Sequence, residues 1–272
     1  ISADSRQLFR ELTIGTAKPS EEEMRGVLHH FINSHSVTEE FSAGDFSDQA
    51  AELIEQLFRE HQVVVVVGGS GLYIDAILFG VDVLPGKDES VRNELNEIYS
   101  RSGILPLQEE LKKVDPETYE EIDIHNPQRI IRAIEVFRST GKKASSLRKL
   151  SDKKSRWPYL MYGIKHDREA LYRRINERVD RMFEEGLEDE VHELSQFRDL
   201  NALQTVGYKE VLRCMDGEIS RSECIELVKK NSRNYAKRQL TWFRRYPEMQ
   251  WVEPDEVTNV IDTIEKNLGV RD

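Results

Sequence analysis

Asp4 and Ser5 close a short apolar opening, Ile1-Ser2-Ala3, and a carboxylate in that position has chemistry open to it. In an open α/β sheet, polar groups just past the carboxyl end of a strand face the ligand crevice. A carboxylate there can take a proton or fix an amine. An Asp-Ser pair is also an ordinary turn or cap, so Asp4 alone decides nothing. Gly68-Gly69-Ser70-Gly71 is more informative, because it follows the β-branched run Val63–Val67 at once and precedes the apolar stretch Leu72–Phe79. Glycines let backbone approach a ligand, and a helix starting there would offer N–H groups to an anion. A tight strand-to-helix turn is the plain alternative. It is not a Walker A loop, since Gly-x4-Gly-Lys-[Ser/Thr] occurs nowhere in the sequence.

Cations come in islands. The chain carries 39 Lys and Arg against 50 Asp and Glu, a net charge of −11. Yet residues 128–156 hold ten basic and two acidic side chains, and residues 229–245 hold seven basic and none acidic. Local clusters decide where phosphates bind, so a localised nucleic-acid or polyphosphate site is expected. Lys230, Arg233, Lys237 and Arg244 fall near one helical face, as do Arg174, Arg178 and Arg181; guanidinium groups in such a row suit pyrophosphate or backbone phosphate. Exposed faces laced with ion pairs are the alternative for both. His29, His30 and His35 stand in an apolar loop without carboxylates at ligand spacing, and metal ligation there is not expected. No Gly-x-Ser-x-Gly elbow and no Cys-His pairing suggests a covalent nucleophile.

The elements that must position these groups read as α/β. The length of 272 residues, 38% of them hydrophobic, allows a sizeable core and excludes a wholly disordered chain. The longest apolar run has five residues, far short of a bilayer span, and no leader pattern opens the sequence. With only Cys214 and Cys224, neither a disulfide framework nor a zinc cluster is expected, which fits a reduced, cytoplasmic protein. Ile1–Ala3 reads as the end of a strand, Asp45–His61 as an amphipathic helix capped by Ser42 or Asp45, and Val63–Val67 as a central parallel strand covered on both faces. Residues 86–158 read as an all-helical insertion within a catalytic core of 1–85 and 159–272. A strand at Leu160–Ile164, long helices over Arg168–Glu184 and Ser220–Arg244, an edge strand at Met249–Val252 and a closing helix complete the pattern.

Several phrases together resemble the bacterial tRNA dimethylallyltransferases. They are Asp4-Ser5-Arg6-Gln7-Leu8-Phe9, Ile14-Gly15-Thr16-Ala17-Lys18-Pro19, Gly68-Gly69-Ser70-Gly71-Leu72-Tyr73, Asn126-Pro127-Gln128-Arg129, Val206-Gly207-Tyr208-Lys209 and Ala236-Lys237-Arg238-Gln239-Leu240-Thr241-Trp242. Each is weak alone, and their order along nearly the whole chain is specific. The resemblance implies a P-loop NTPase-like parallel-sheet core with a helical insertion gripping the tRNA anticodon arm. The implied reaction transfers a dimethylallyl group from dimethylallyl diphosphate to N6 of adenosine 37, with Mg²⁺.

Carried over by motif, Asp4 is the expected general base, and Asp4, Ser5, Arg6 and Gln7 contact the target nucleotide. Ser70 stands at the reaction channel, Arg92 contacts RNA, and so do two stretches, Gln128-Arg129-Ile130-Ile131-Arg132 and Gln204-Thr205-Val206-Gly207-Tyr208-Lys209. Arg178 holds the diphosphate, with Arg233 and Lys237 as further diphosphate ligands. The resemblance also implies a strand and Walker A loop ahead of Ile1, and Phe9 stands where the family usually has Tyr. A monomer without a membrane partner is expected. Rival readings are an adenylate-type isopentenyltransferase acting on free nucleotides, a P-loop small-molecule kinase, and a non-catalytic RNA-binding module; a basic insertion suits a large RNA better than a mononucleotide.

Overall fold

The computed structural model describes residues 1–82, 84–147 and 154–267. Arg148, Lys149 and Lys153 of the first basic island lie outside the described residues. The chain forms two compact units, one of residues 1–78 and 157–272 and one of residues 79–156. Each has its own buried apolar cluster.

In the first unit, a short helix α1 (Glu21–Met24) precedes α2 (Ala43–Leu57) and α3 (Gly71–Phe79). Ser42 and Asp45 both act at the start of α2: the Ser42 hydroxyl accepts the Asp45 N–H while the Asp45 carboxylate accepts the Ser42 N–H. Phe46 of α2 stacks on Tyr73 of α3 at 4.1 Å between ring centroids, and Phe31 meets Phe46 edge-on at 5.0 Å. This aromatic wedge is packed against Leu8, Phe9 and Leu12, so the segment carrying Asp4 to Gln7 rests on a rigid base.

The second unit contains α4 (Glu89–Ser102), α5 (Leu105–Val114), α6 (Pro116–Glu121), α7 (Pro127–Thr140) and α8 (Ala144–Leu147). Ile130, Ile131, Ile134 and Val136 of α7 are at most 1% exposed and meet Leu95, Leu107 and Leu111. Glu135 sits among them, wholly buried. It accepts the Asp88 N–H at 2.8 Å and both the Nε and Nη2 of Arg92, and it pairs with Arg132 at 3.1 Å. Asp115, also fully buried, accepts from the backbone and hydroxyls of Thr118 and Ser145.

The first unit resumes with β1 (Tyr162–Ile164), α9 (Arg168–Glu184), α10 (Leu187–Glu193), α11 (Tyr208–Met215), α12 (Arg221–Phe243), β2 (Gln250–Val252) and α13 (Val257–Asn267). β1 and β2 pair in parallel, Tyr162 opposite Gln250. The structure is thus helix-rich with a small parallel sheet. The expected central strand at Val63–Val67 is a correction: Val65 and Val67 are 65% and 67% exposed, and the run is not a regular strand. Its bonds go to Ile1–Ala3, from the Ile1 amino group to Val65, Val67 N–H to Ile1, and Ala3 N–H to Val67, which leaves a single parallel bridge between Ser2 and Val67. Among the described residues the other flank has no strand to close a ladder, and one three-residue edge does not cover two faces. No helix among the described residues is long and apolar enough to cross a membrane.

Burial on its own would raise the Glu135 pKa, but Arg92, the Asp88 amide and Arg132 together hold it below the ordinary glutamate range. A depressed carboxylate stabilises the fold above its unfolded-state pKa and loses that contribution as pH falls through its folded value. Glu135→Gln should therefore cost about 2–3 kcal/mol at neutral pH, because two half-buried guanidinium groups lose their anion. Urea unfolding of wild type and variant should converge below about pH 4; a pH-independent gap would remove the ion-pair explanation.

Candidate active site

Asp4 is held by one oxygen. Its Oδ1 accepts the backbone N–H of Arg6 at 2.8 Å and of Gln7 at 3.3 Å, the turn that a short acidic side chain makes with the residues after it. Among the described residues no hydrogen bond reaches Oδ2. The Asp4 charge is felt by Arg6, Tyr73, Arg178 and Tyr235, so the half-buried carboxylate lies among two cations and two phenols. Desolvation lowers the pKa of both guanidinium groups, and Asp4 opposes it. Burial pushes the Tyr73 phenol up to about 12, and Tyr235 also moves up through desolvation and then the Asp4 charge.

Beside this group is a cleft of about 400 Å³ lined by Ser5, Arg6, Gln204, Thr205, Val206, Lys209, Glu210, Asn231, Tyr235 and Arg238. It joins two stretches that the sequence nominated separately, 4–7 and 204–209. Asp4 is not part of the lining; its neighbours Ser5 and Arg6 are. Arg6 is steadied by donating to the Asn201 carbonyl at 2.9 Å. Gln7 turns the other way and braces the backbone carbonyls of Thr16 and Ala17.

The glycine turn is a correction to the idea of an open anion cradle. A Cβ on Gly68 would stand 2.3 Å from the Ala3 carbonyl oxygen, one on Gly69 2.0 Å from Gln239 Nε2, and one on Gly71 2.2 Å from Trp242 Cδ1. The space beside these glycines is filled by protein. Gln239 donates to the Gly69 carbonyl at 2.9 Å, and Ser70 N–H donates to Ala3. The glycines are there so that α12 and the opening segment can approach one backbone closely.

Other expected contacts divide cleanly. Gln128 and Arg129 are exposed at the start of α7, whereas Ile130 and Ile131 are core residues that cannot touch RNA directly. Arg92 and Arg132 are committed to Glu135, and Arg132 also donates to the Pro85 carbonyl. Tyr208 is another correction. It is wholly buried, its hydroxyl donates to Glu190, and its ring fills the place of a Gly15 side chain. Glu190 in turn accepts the N–H groups of Thr13, Ile14 and Gly15, so Tyr208 shapes the loop after Gln7 without facing solvent. Gly207 adopts φ +96° and is buried, its N–H donating to the buried Glu210 carboxylate.

Arg233 and Lys237 do not join Asp4. Arg233 donates to Asn176 at 2.6 Å, and both cations lie about 6 Å from the Tyr172 ring, along the seam with α9. At 100° per residue they sit roughly 160° around α12 from Tyr235. Sequence spacing shows that 233 and 237 share a face, not where that face points. Asn231, Tyr235, Arg238 and Glu210 were missed, although the first three, spaced four, three and seven apart on α12, were legible once one of them was placed.

The family model described as IPP transferase matches residues 7–246. The chain belongs to this family. It is 47% identical over 268 residues to a tRNA dimethylallyltransferase of Cytophaga hutchinsonii, a match covering 98% of this chain and 88% of that protein. It is 45% identical over 270 residues to one of Christiangramia forsetii, covering 99% and 89%. Among solved structures, the full-length tRNA isopentenylpyrophosphate transferase from Bacillus halodurans is similar with a TM-score of 0.70 at 37% identity, covering 98% of this chain and 87% of that one. A eukaryotic dimethylallyltransferase acting on tRNA shares the fold, with a TM-score of 0.78 at 23% identity over 100% and 73%. Within this IPP transferase chain, the glycine turn and α12 are the parts whose packing most directly sets the cleft.

Gly71→Ala should destabilise by about 1–3 kcal/mol through overpacking against Trp242, and Trp242→Ala should make the second change cheaper. A double-mutant cycle by thermal unfolding checks this, and additive costs would place the clash elsewhere.

Proposed function

We propose that this IPP transferase prenylates tRNA, moving a dimethylallyl group from dimethylallyl diphosphate to N6 of adenosine 37 in the anticodon arm. The observation that carries the reading is Asp4, oriented through one oxygen by two amides, its charge acting on Arg6 and Arg178, next to the polar cleft that Ser5 and Arg6 line. Relatives named for tRNA over nearly the full chain support the same substrate. Neither a free-nucleotide prenyltransferase nor a small-molecule kinase gains support.

The N6 lone pair of adenine is delocalised into the ring and is a poor nucleophile. An allylic diphosphate compensates by loosening its C–O bond toward a resonance-stabilised cation. As that bond breaks, charge builds on the departing diphosphate, and Arg178 favours it more strongly than the ground state. The N–C bond forms, Asp4 takes the proton from N6, and diphosphate leaves. The base must leave the loop stack to reach the cleft, at a cost of a few kcal/mol, and Lys209 and Arg238, which line the cleft, offer phosphate contacts that offset it.

The P-loop NTPase-like character of the core belongs to this proposal, supported by the parallel pairing of Ile1–Ala3 with Val65–Val67. So does Mg²⁺ as a counterion of the diphosphate. The described residues offer it the Asp4 carboxylate, but no group of three or more His, Cys, Asp or Glu placed to hold a metal. They do not make a site for the ion alone. A monomer working in the cytoplasm completes the reading.

Incubation of tRNA with the protein and dimethylallyl diphosphate, followed by mass spectrometry of the digested RNA, should reveal one added five-carbon unit on the adenosine beside the anticodon. Asp4→Asn should lower kcat by about 10²–10⁴-fold while tRNA affinity stays within a few fold. Unchanged turnover would discard Asp4 as the base.

A further inference from the structure

Asn231 stands on α12 one turn before Tyr235, half-buried in the wall of the cleft. Its Nδ2 donates to Glu210 Oε1 at 2.6 Å, and Glu210 Oε2 accepts the Gly207 N–H at 2.8 Å. Glu210 is 5% exposed, and a carboxylate has only lone pairs to offer. A side-chain amide carries its donors on nitrogen and its lone pairs on oxygen, so this partner decides which way Asn231 stands. Reversed, it would set its carbonyl oxygen against a buried carboxylate. Oδ1 is therefore the end left over. Among the described residues no hydrogen bond reaches it, and it is not one of the buried atoms that lack a partner, so it is accessible on a residue that lines the cleft.

The same face of α12 carries Tyr235, 40% exposed, and Arg238. At 1.5 Å per residue the three side chains span about 10 Å of helix. They offer an acceptor, an aromatic ring and a cation, and a ribonucleotide brings the complement: a 2′-hydroxyl to donate, a base to stack and a phosphate to pair. We propose that Asn231 is a specificity-determining residue for the prenyl transfer: held by Glu210 with its amide oxygen free, it accepts a hydrogen bond from a ribose 2′-hydroxyl of the anticodon loop. The inference rests on the cleft being where tRNA is held for that reaction. Arg6, Lys209 and Arg238, from three parts of the chain, draw phosphate backbone to this wall. The donor that an RNA backbone carries beside every phosphate, and a DNA backbone lacks, is the 2′-hydroxyl. The cations can only donate, so they hold either backbone alike, and the fixed acceptor tells the two apart.

The test is kcat/KM for the full-length protein and its Asn231→Ala and Glu210→Gln variants. The substrate is an anticodon-arm RNA with a 2′-fluoro or 2′-deoxy sugar placed at single loop nucleotides in turn. Neither sugar has a 2′ proton to give, and the fluoro form keeps the ribose pucker. With wild type, both should cost about tenfold at one position, the loss of one hydrogen bond. Asn231→Ala should lose about the same factor on all-ribose RNA and be indifferent to the sugar at that position. Glu210→Gln conserves volume: its oxygen stays with the Gly207 N–H, its nitrogen meets Asn231, and the Asn231 amide turns round. It should reproduce the indifference of Asn231→Ala. A merely structural loss would fall equally on every RNA, and that outcome overturns the proposal. So does a wild type insensitive to all the sugars, a Glu210→Gln protein that keeps the wild-type response, or an Asn231→Ala response that follows base identity instead of the sugar. Wild type that prenylates no RNA would instead reject the functional reading on which the inference stands.

Discussion

The site depends on a close crossing of backbone at the glycine turn. Ala3, Gln239 and Trp242 each stand within 2.3 Å of where a side chain on Gly68, Gly69 or Gly71 would begin, so three parts of the chain meet on one strip of main chain. That approach brings Ser70 to Ser5 and α12 to both. Without it, Tyr235 and Arg238 would not share a cleft with Arg6. The constraint is steric first, and the hydrogen bonds of Ser70 and Gln239 are made in the space it defines.

Around that crossing, charge is arranged by commitment more than by number. The acidic chain spends several arginines on fixed partners: Arg92 and Arg132 on Glu135, Arg138 on Glu94 and Glu110, Arg198 on Asp216. Arg6 and Arg178 differ, because the charge that faces them is Asp4, which the proposed reaction would protonate. The same two cations suit an anionic leaving group. Other carboxylates, the half-buried Glu190 and the buried Glu210, hold backbone in place. Glu190 gathers the amides of residues 13–15, and Glu210 ties Gly207 to Asn231, so both fix the loops that border the cleft.

Much of the fold was legible from periodicity and caps. The helix over Arg168–Glu184 stands where the sequence places it, and α2 begins at its Ser-x-x-Asp cap. The site was legible in part. Ser5 and Arg6 share a cleft with Gln204, Thr205, Val206 and Lys209, but Tyr208, Ile130 and Ile131 lie inside, and Arg233 and Lys237 face α9. A motif marks residues that matter together without saying which of them touch the ligand. Tyr208 matters by filling the gap at Gly15, which is as exacting as a contact.

What the sequence determined by itself was local: where helices start and stop, which faces are apolar, and which short phrases place the chain in the IPP transferase family. These follow from interactions spanning a few residues, whose chemistry is written in order along the chain. The tertiary structure alone decided the rest. It turned Val63–Val67 from an expected strand into a run exposed on one side, chose which face of α12 lines the cleft, and brought Ser70 to Ser5. Each of these depends on partners 60 or more residues apart, such as Ser5 with Ser70 and Gly69 with Gln239. Helical spacing fixes relative angles and leaves absolute orientation free until a second element packs against it.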